Sequence, residues 1–260
     1  MIPPAFHLRS PENGTDYVIY VHSPLSPTLN SPVPAVLFMD GDDQFRFAIT
    51  AYDQLRRASL CPPLLLVGIG YGASYAKPAN KRGRDYTPTP HSDEPTSGGA
   101  DVFLAFLTQT LWPELARRFP VREDMRGIAG HSLGSLLALH ALFREPLFFT
   151  HYLASAPSIW WDDRSILRLA AARRQRNGQL PAHLFLSVGE SDTSSMIGDL
   201  ALLEQHLAAQ PFRDLRITAQ RFPGRDHYNV IDAAFRAGLR ALFGEAPTPG
   251  PALMPTSLLI

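Results

Sequence analysis

The chain has 260 residues, of which 45% are hydrophobic and 18% charged, which favours a folded domain with a sizeable core over general disorder. Lysine plus arginine number 24, as do aspartate plus glutamate, and this net charge of zero indicates no nucleic-acid partner and no anionic membrane surface. The single cysteine, Cys61, excludes an internal disulfide and an all-cysteine metal site.

Nothing in the sequence predicts a membrane segment. No apolar run approaches the length that crosses a bilayer, and the start MIPPAFHLRSPENG lacks a basic stretch followed by a long apolar one. We therefore expect no membrane partner and a cytoplasmic protein, with the periplasm as the alternative if a signal segment was removed.

Strand-like and helix-like segments alternate along the chain. Apolar runs of strand composition predict strands at 17–21, 35–39, 64–70, 126–130, 150–157, 183–189 and 215–222. Helical patterns occupy 44–58, 100–119, 135–143, 163–176, 195–209 and 229–243. This alternation predicts an α/β fold with a mostly parallel central sheet and helices on both faces, in which the early strands can be antiparallel.

Proline-rich segments mark the irregular parts of the chain. Those at 22–34 and 86–99 predict loops, and the one at 245–260 predicts a mobile or loosely docked tail. Because no linker interrupts the rest, residues 1–244 are predicted to form a single domain.

The segment GHSLG, residues 130–134, lies between a predicted strand and a predicted helix. A sharp turn at this point would hold the serine hydroxyl above the sheet edge, and glycines on either side would avoid steric clashes. The N-terminus of the following helix supplies free N–H groups where negative charge develops. Ser132 is therefore the predicted nucleophile, and an ordinary strand–helix turn is the weaker alternative.

A serine nucleophile needs a base and an acid, which follow it along the chain in the order acid, then histidine. His227 is the predicted base because it lies in a glycine-containing loop after the last predicted strand, whereas the other histidines after Ser132 lie in helices or near strand starts. The acid should follow the strand that ends at Gly189. Asp192 is preferred there, and Glu190 remains open.

Two backbone N–H groups should bind the oxyanion. One is that of Leu133, and the other is that of Asp42, in the strand–turn–helix segment FMDGDDQF. A metal site made of Asp40, Asp42 and Asp43 is the rejected alternative, since no histidine or glutamate nearby completes it. Helix capping by one of these aspartates is compatible with the oxyanion interpretation.

The segment GIGYGA, residues 68–73, matches the dinucleotide fingerprint G-x-G-x-x-A. That fingerprint requires a helix to begin at once, so that its N-terminus meets the pyrophosphate. The sequence that follows is not helical, and we therefore expect no dinucleotide cofactor.

Eight motifs occur in a fixed order between about Val36 and Phe243: FMDGDDQF, LVGIGY, RDYTP, GGADVFLAFL, GHSLGS, SAPSIWW, VGESD and GRDHYNV. Together they resemble the α/β-hydrolases of the esterase D and siderophore-esterase group, which includes feruloyl and acetyl esterases. The resemblance implies the α/β-hydrolase fold, Ser132 as nucleophile, His227 as base, an acid within VGESD, and ester hydrolysis without a metal or organic cofactor. It is closest to the branch that opens cyclic catecholate siderophores.

Four residues are candidates for substrate binding. Arg84 is a candidate anion-binding group, with a salt bridge to Asp85 as an equal alternative, and Tyr86 lies in the same loop. Trp160 and Trp161 can contact an aromatic acyl group, with core packing as the alternative. If these residues converge over the nucleophile, the cleft suits flat, electron-rich acyl groups better than long aliphatic ones.

The sequence thus predicts a serine esterase that acts on aromatic or catecholate esters, such as siderophore triesters, through an acyl-enzyme. An acetyl or feruloyl carbohydrate esterase and an acyltransferase are the alternatives. A non-catalytic binding protein with the hydrolase fold is the most remote alternative function. The partner is a small-molecule ester, and the sequence leaves the oligomeric state open.

Overall fold

A computed structural model of the protein describes residues 2–23, 31–92 and 94–244. In chain order, the strands within these residues are β1 (Phe6–Arg9), β2 (Asp16–His22), β3 (Val33–Phe38), β4 (Leu65–Gly70), β5 (Val121–His131), β6 (His151–Ser155), β7 (Gln179–Gly189) and β8 (Arg213–Phe222). They form one eight-stranded sheet in the order β1-β2-β4-β3-β5-β6-β7-β8. β2 pairs antiparallel with β1 and β4, and the remaining pairs are parallel.

The helices that follow or separate the strands are α1 (Phe45–Arg57), α2 (Arg82–Asp85), α3 (Ala100–Ala105), α4 (Trp112–Arg118), α5 (Leu133–Phe143), α6 (Trp161–Arg176), α7 (Ser194–Ala209) and α8 (Ile231–Phe243). A π-helical segment, Phe106–Leu111, connects α3 to α4, so together they form the long helix predicted at 100–119. In α6, residues 162–164 have positive φ, and regular helical geometry begins after them.

Two apolar cores lie on opposite faces of the sheet. On one face, α1 and α8 pack against strand side chains such as Phe38, Leu153 and Phe185. On the other face, α3 to α7 pack against side chains that include Tyr152 and Leu184. β3, β4 and β6 are buried along their whole length, which explains their continuous apolar composition.

The predicted fold class is confirmed: the sheet is mostly parallel, helices cover both faces, and the first strands are antiparallel. The sequence patterns missed the short edge strand β1 and the one-turn helix α2. The predicted tail at 245–260 lies outside the described residues, as does the 24–30 part of the first proline-rich loop. No helix within the described ranges is long and apolar enough to cross a membrane.

The parallel strands place their carboxyl ends at one edge of the sheet. β5 ends at His131, β6 at Ser155, β7 at Gly189 and β8 at Phe222. Loops that leave neighbouring parallel strands at this edge come close together even when they are distant in sequence. This edge therefore carries the predicted nucleophile, acid and base.

Candidate active site

Ser132 is the single residue between the end of β5 and the start of α5. Its φ of 59° and ψ of −121° lie in a region that residues with side chains rarely adopt, so the turn holds backbone strain. A Cβ on Gly130 would collide with the backbone of Gly134, which explains the glycine at that position. The sharp turn predicted from GHSLG is thus present, at the carboxyl edge of the sheet.

The hydroxyl of Ser132 lies 3.2 Å from the hydroxyl of Ser158, a residue that is 1% exposed and follows β6. A backbone hydrogen bond also joins the two serines, since the Ser158 N–H donates to the Ser132 carbonyl at 3.3 Å. Among the hydrogen bonds of the described residues, Ser158 and not His227 is the partner of the Ser132 hydroxyl. Catalytic hydrogen bonds often tighten only in the substrate complex. No sequence motif had indicated Ser158.

His227 lies in the loop between β8 and α8, and its Nδ1 is 2.9 Å from Oδ2 of Asp192. The Asp192 side chain is fully buried and the His227 side chain is 23% exposed. The other Asp192 oxygen accepts the N–H of Thr193 at 2.7 Å. In the tautomer that this contact favours, Nδ1 of a neutral His227 donates to the carboxylate and Nε2 keeps its lone pair.

Gly189 explains how the acid and the histidine come together. A Cβ at Gly189 would collide with the carbonyl oxygen of Arg225, so the loop after β8 crosses directly over the end of β7. The Ser191 N–H also donates to that carbonyl at 2.9 Å. Of the two carboxylates left open by the sequence, Asp192 lies against His227, whereas Glu190 is exposed.

The two backbone donors predicted for the oxyanion are at the start of α5 and in the turn after β3. Leu133 is the first residue of α5, where N–H groups have no partner within the helix. The Asp42 carboxylate accepts the N–H groups of Tyr71 at 2.6 Å and Gly72 at 3.1 Å. Among the hydrogen bonds recorded for the described residues, none uses the N–H of Leu133 or Asp42, so both donors are open.

Each aspartate of the DGDD turn has a structural partner. Arg82 donates to both oxygens of Asp40, from Nε at 2.7 Å and from Nη2 at 3.0 Å. Burial raises the pKa of Asp40, and Arg82 acts against that shift. Asp43 accepts the N–H of Tyr75 at 2.9 Å. Within residues 2–23, 31–92 and 94–244, no three histidine, cysteine or acidic side chains are grouped to hold a metal ion.

The structure places two of the four predicted substrate-binding residues in the core. Tyr86 is fully buried, and its hydroxyl accepts the N–H of Asp40 at 2.9 Å. Trp161 is 4% exposed and donates from Nε1 to the Thr89 carbonyl at 3.1 Å. These two side chains are therefore structural. Trp160 is 44% exposed and borders the cleft above the nucleophile.

Arg84 forms a salt bridge with Asp85 at 2.7 Å, which is the alternative that the sequence had left open. It also donates to the Thr15 hydroxyl at 2.8 Å. It borders a neighbouring pocket and not the cleft that contains Ser132. The arginine in that cleft is Arg82, two residues earlier. The sequence pattern could not distinguish the two, because the orientation of the one-turn helix α2 decides which guanidinium faces the nucleophile.

The cleft has a volume of about 460 Å³ and contains Ser132, Ser158, Asp192 and His227. Its other walls include the guanidinium of Arg82, the aromatic rings of Trp160 and Tyr228, and the thioether of Met196, together with Leu133 and Thr193. Tyr228 is 75% exposed, so this side of the cleft is open to solvent. The arrangement can receive a bulky substrate that presents aromatic rings and negative charge.

The profile of the family described as "Putative esterase" matches residues 10–234. The chain is 31% identical over 257 residues to the ferri-bacillibactin esterase BesA of Bacillus subtilis (strain 168), which covers 91% of this chain and 88% of that protein. It is 39% identical over 176 residues to the siderophore triacetylfusarinine C esterase of Aspergillus fumigatus, and the matched region covers 64% of this chain and 59% of that protein. The solved structure of the siderophore hydrolase EstB from Aspergillus nidulans has a TM-score of 0.78 at 28% identity and covers 94% of this chain and 95% of its own.

Proposed function

The chain belongs to the "Putative esterase" family and has the α/β-hydrolase fold, and on that premise we propose that it hydrolyses carboxylic esters through Ser132, His227 and Asp192. The observation that carries the assignment is the 2.9 Å hydrogen bond between the buried Asp192 carboxylate and His227, in the cleft that contains Ser132. A serine nucleophile, and an imidazole oriented by a carboxylate in the same cleft, are what acyl transfer to a serine requires.

In the proposed reaction, the Ser132 oxygen attacks the ester carbonyl while Nε2 of His227 takes the hydroxyl proton. The carbonyl oxygen becomes an oxyanion, which the N–H groups of Leu133 and Asp42 stabilise by hydrogen bonds. Asp192 holds the imidazole by Nδ1 and offsets the positive charge that the ring gains.

The tetrahedral intermediate then collapses to an acyl-enzyme. The bond to the alcohol oxygen breaks, and the proton on Nε2 of His227 moves to that oxygen, so the alcohol leaves neutral. Water next gives a proton to the same nitrogen as it attacks the acyl group. The second collapse returns the proton to Ser132 and releases the carboxylic acid.

We further propose siderophore esters as the substrate class, with aromatic or catecholate acyl groups preferred. Two relatives of this chain are named as esterases of siderophores, ferri-bacillibactin and triacetylfusarinine C. The open cleft offers Trp160 and Tyr228 as aromatic surfaces and the one guanidinium nitrogen of Arg82, Nη1, that does not donate to Asp40, and these groups suit a bulky anionic iron complex. A long unbranched acyl chain would leave the rings and the cation without a matching group.

The test is a comparison of kcat/KM on ferri-bacillibactin, triacetylfusarinine C, a feruloyl ester, 4-nitrophenyl acetate and 4-nitrophenyl octanoate. We expect the siderophore esters to be the best substrates and the acetyl ester to be a weak one. A preference for the octanoyl ester would contradict the substrate class. A folded protein that hydrolyses none of these esters and does not react with a fluorophosphonate would instead indicate a binding protein.

A further inference from the structure

The final residues of β5 and β6 and the residue of β7 in register with them form a buried polar row beneath the loop of His227. His131 of β5 is in register with Ser155 of β6, and Ser155 with Ser187 of β7. All three are buried, His131 at 2% exposure and the serines at 0%. Water does not reach these groups from outside, so their polar atoms depend on partners inside the protein.

The row lies on the sheet face that α8 covers. Two residues earlier on the same strands, Ala129, Leu153 and Phe185 are in register and belong to the apolar cluster packed under α1 and α8. Side chains two residues apart on a strand share a face. The polar row therefore replaces the apolar layer at the point where the His227 loop, which leads into α8, crosses the sheet edge.

Within this row, His131 contacts the candidate base. The centroid of its ring is 4.6 Å from that of the His227 ring, at an interplanar angle of 49°. Its Nδ1 lies 3.2 Å from the hydroxyl of Ser155, a contact that holds the ring. Burial, followed by the nearby His227, keeps the pKa of His131 well below its usual 6.5, so the ring is neutral.

Packing alone does not account for a histidine at this position. Nε2 of His131 is buried and meets no strict hydrogen-bond geometry, but the His131 side chain has a hydrogen-bonding interaction with the backbone of His227, which an apolar side chain of similar size could not make. Asp192 holds His227 at a single atom, Nδ1, and one hydrogen bond leaves the ring free to tilt about it. The contact with the tilted His131 ring restricts that movement and so fixes the direction of Nε2.

We propose that His131 is a positioning residue: its ring, held by Ser155, supports the His227 ring and keeps Nε2 directed toward Ser132. The proposal rests on the function proposed above, in which His227 is the base. His131 itself neither touches substrate nor exchanges a proton. It acts only through the orientation of His227.

Two variants separate the ring contact from the hydrogen bond. His131→Asn keeps a polar group near Ser155 and removes the ring, whereas His131→Phe keeps a ring face and removes the hydrogen bond. Ser187→Ala is the matched control, because Ser187 is equally buried in the same row and its hydroxyl has no hydrogen-bond partner among the described residues. Thermal melts of all three variants check that each is folded.

Kinetics with 4-nitrophenyl acetate give the main readout. We expect His131→Asn to lower kcat by about 10- to 100-fold with KM little changed, because a misdirected base slows proton transfer without weakening binding. His131→Phe should recover most of that loss, and Ser187→Ala should match the wild type. The low-field proton resonance of the His227–Asp192 hydrogen bond should broaden or shift in His131→Asn alone.

Three outcomes would overturn the proposal. One is wild-type kcat in a folded His131→Asn, and another is an equal loss in His131→Asn and Ser187→Ala, which would indicate a purely structural role. The third is wild-type activity in His227→Ala, measured in parallel, which would overturn the proposed function as well. Loss of activity in His227→Ala together with an active His131→Asn would refute only the role of His131.

Discussion

Replacement of Asp192 by asparagine removes one charge from the site while almost preserving the shape of the side chain. The Asp192 carboxylate is fully buried, and its Oδ2 lies 2.9 Å from Nδ1 of His227, whose side chain is 23% exposed. In the proposed mechanism His227 takes the proton of Ser132, and its ring then gains a positive charge about 4 Å from the carboxylate charge. At an effective dielectric constant of about 20, this attraction is about 4 kcal/mol, which corresponds to about a thousandfold in rate.

An asparagine can also donate its amide N–H to Nδ1, which leaves the proton on Nε2 and blocks proton uptake from Ser132. We therefore expect Asp192→Asn to lower kcat for 4-nitrophenyl acetate by about a thousandfold or more, with a small effect on KM. The matched control is Glu190→Gln, an exposed carboxylate in the same loop, which should remain within about threefold of the wild type. A larger loss in Glu190→Gln, or less than about a tenfold loss in Asp192→Asn, would refute the assignment of the acid.

The remaining predictions concern the nucleophile, its neighbour, the cleft cation and the fold. Ser132→Ala should fold normally, lose about a thousandfold or more in kcat, and show no fluorophosphonate adduct by intact mass spectrometry. Ser158→Ala removes one neutral hydrogen bond at the nucleophile and should lower kcat about fivefold, whereas Ser158→Thr should retain more activity. Arg82→Lys should raise KM for an anionic ferric siderophore but not for 4-nitrophenyl acetate, because the single ammonium group pairs with the buried Asp40 and leaves no donor for the substrate. Arg84→Lys should change neither KM value, and equal effects of the two variants would contradict the assignment of Arg82 to the cleft. Burial, and to a lesser extent the nearby His183, lowers the pKa of His151 from 6.5 to about 4. Between pH 6.5 and pH 4, therefore, His151 is protonated in the unfolded state but not in the folded state. Stability should therefore fall as pH decreases from 6.5 to 4, by up to about 3 kcal/mol for this group, and the fall measured by urea titration should be smaller in His151→Phe.

The elements that sequence patterns predict well are those that burial determines. β3, β4 and β6 are buried throughout and read as continuous apolar runs, and their alternation with helices suffices to predict the sheet. The four-residue β1, with alternating half-buried and exposed side chains, is too short for its period to be distinguished from a loop. The order of the loops along the chain then indicates which of them meet at the carboxyl edge.

Choices between neighbouring residues required the structure. Asp192 and Glu190 follow the same strand, and only the crossing of the His227 loop over Gly189 brings Asp192 and not Glu190 against the histidine. Adjacent aromatics pose the same problem, because which side chain enters the core depends on local backbone angles. Trp160 borders the cleft, while Trp161 is buried and hydrogen-bonded.

The candidate catalytic residues were predictable from the sequence and the residues that line the cleft were not, for a physical reason. The candidate nucleophile, acid and base leave the ends of β5, β7 and β8, so the sheet fixes their relative positions, and a strand–loop pattern suffices to find them. The groups over the cleft come from α2, the start of α6 and the residue after His227. The pairing of the strands does not fix the positions of these segments. Substitutions in those segments can reshape the cleft without moving the strand ends. We therefore expect chemistry and substrate preference to be separable. Variants at Trp160 or Tyr228 should change the ranking of ester substrates while the rate on 4-nitrophenyl acetate stays within about threefold, as kcat/KM on the ester panel would measure.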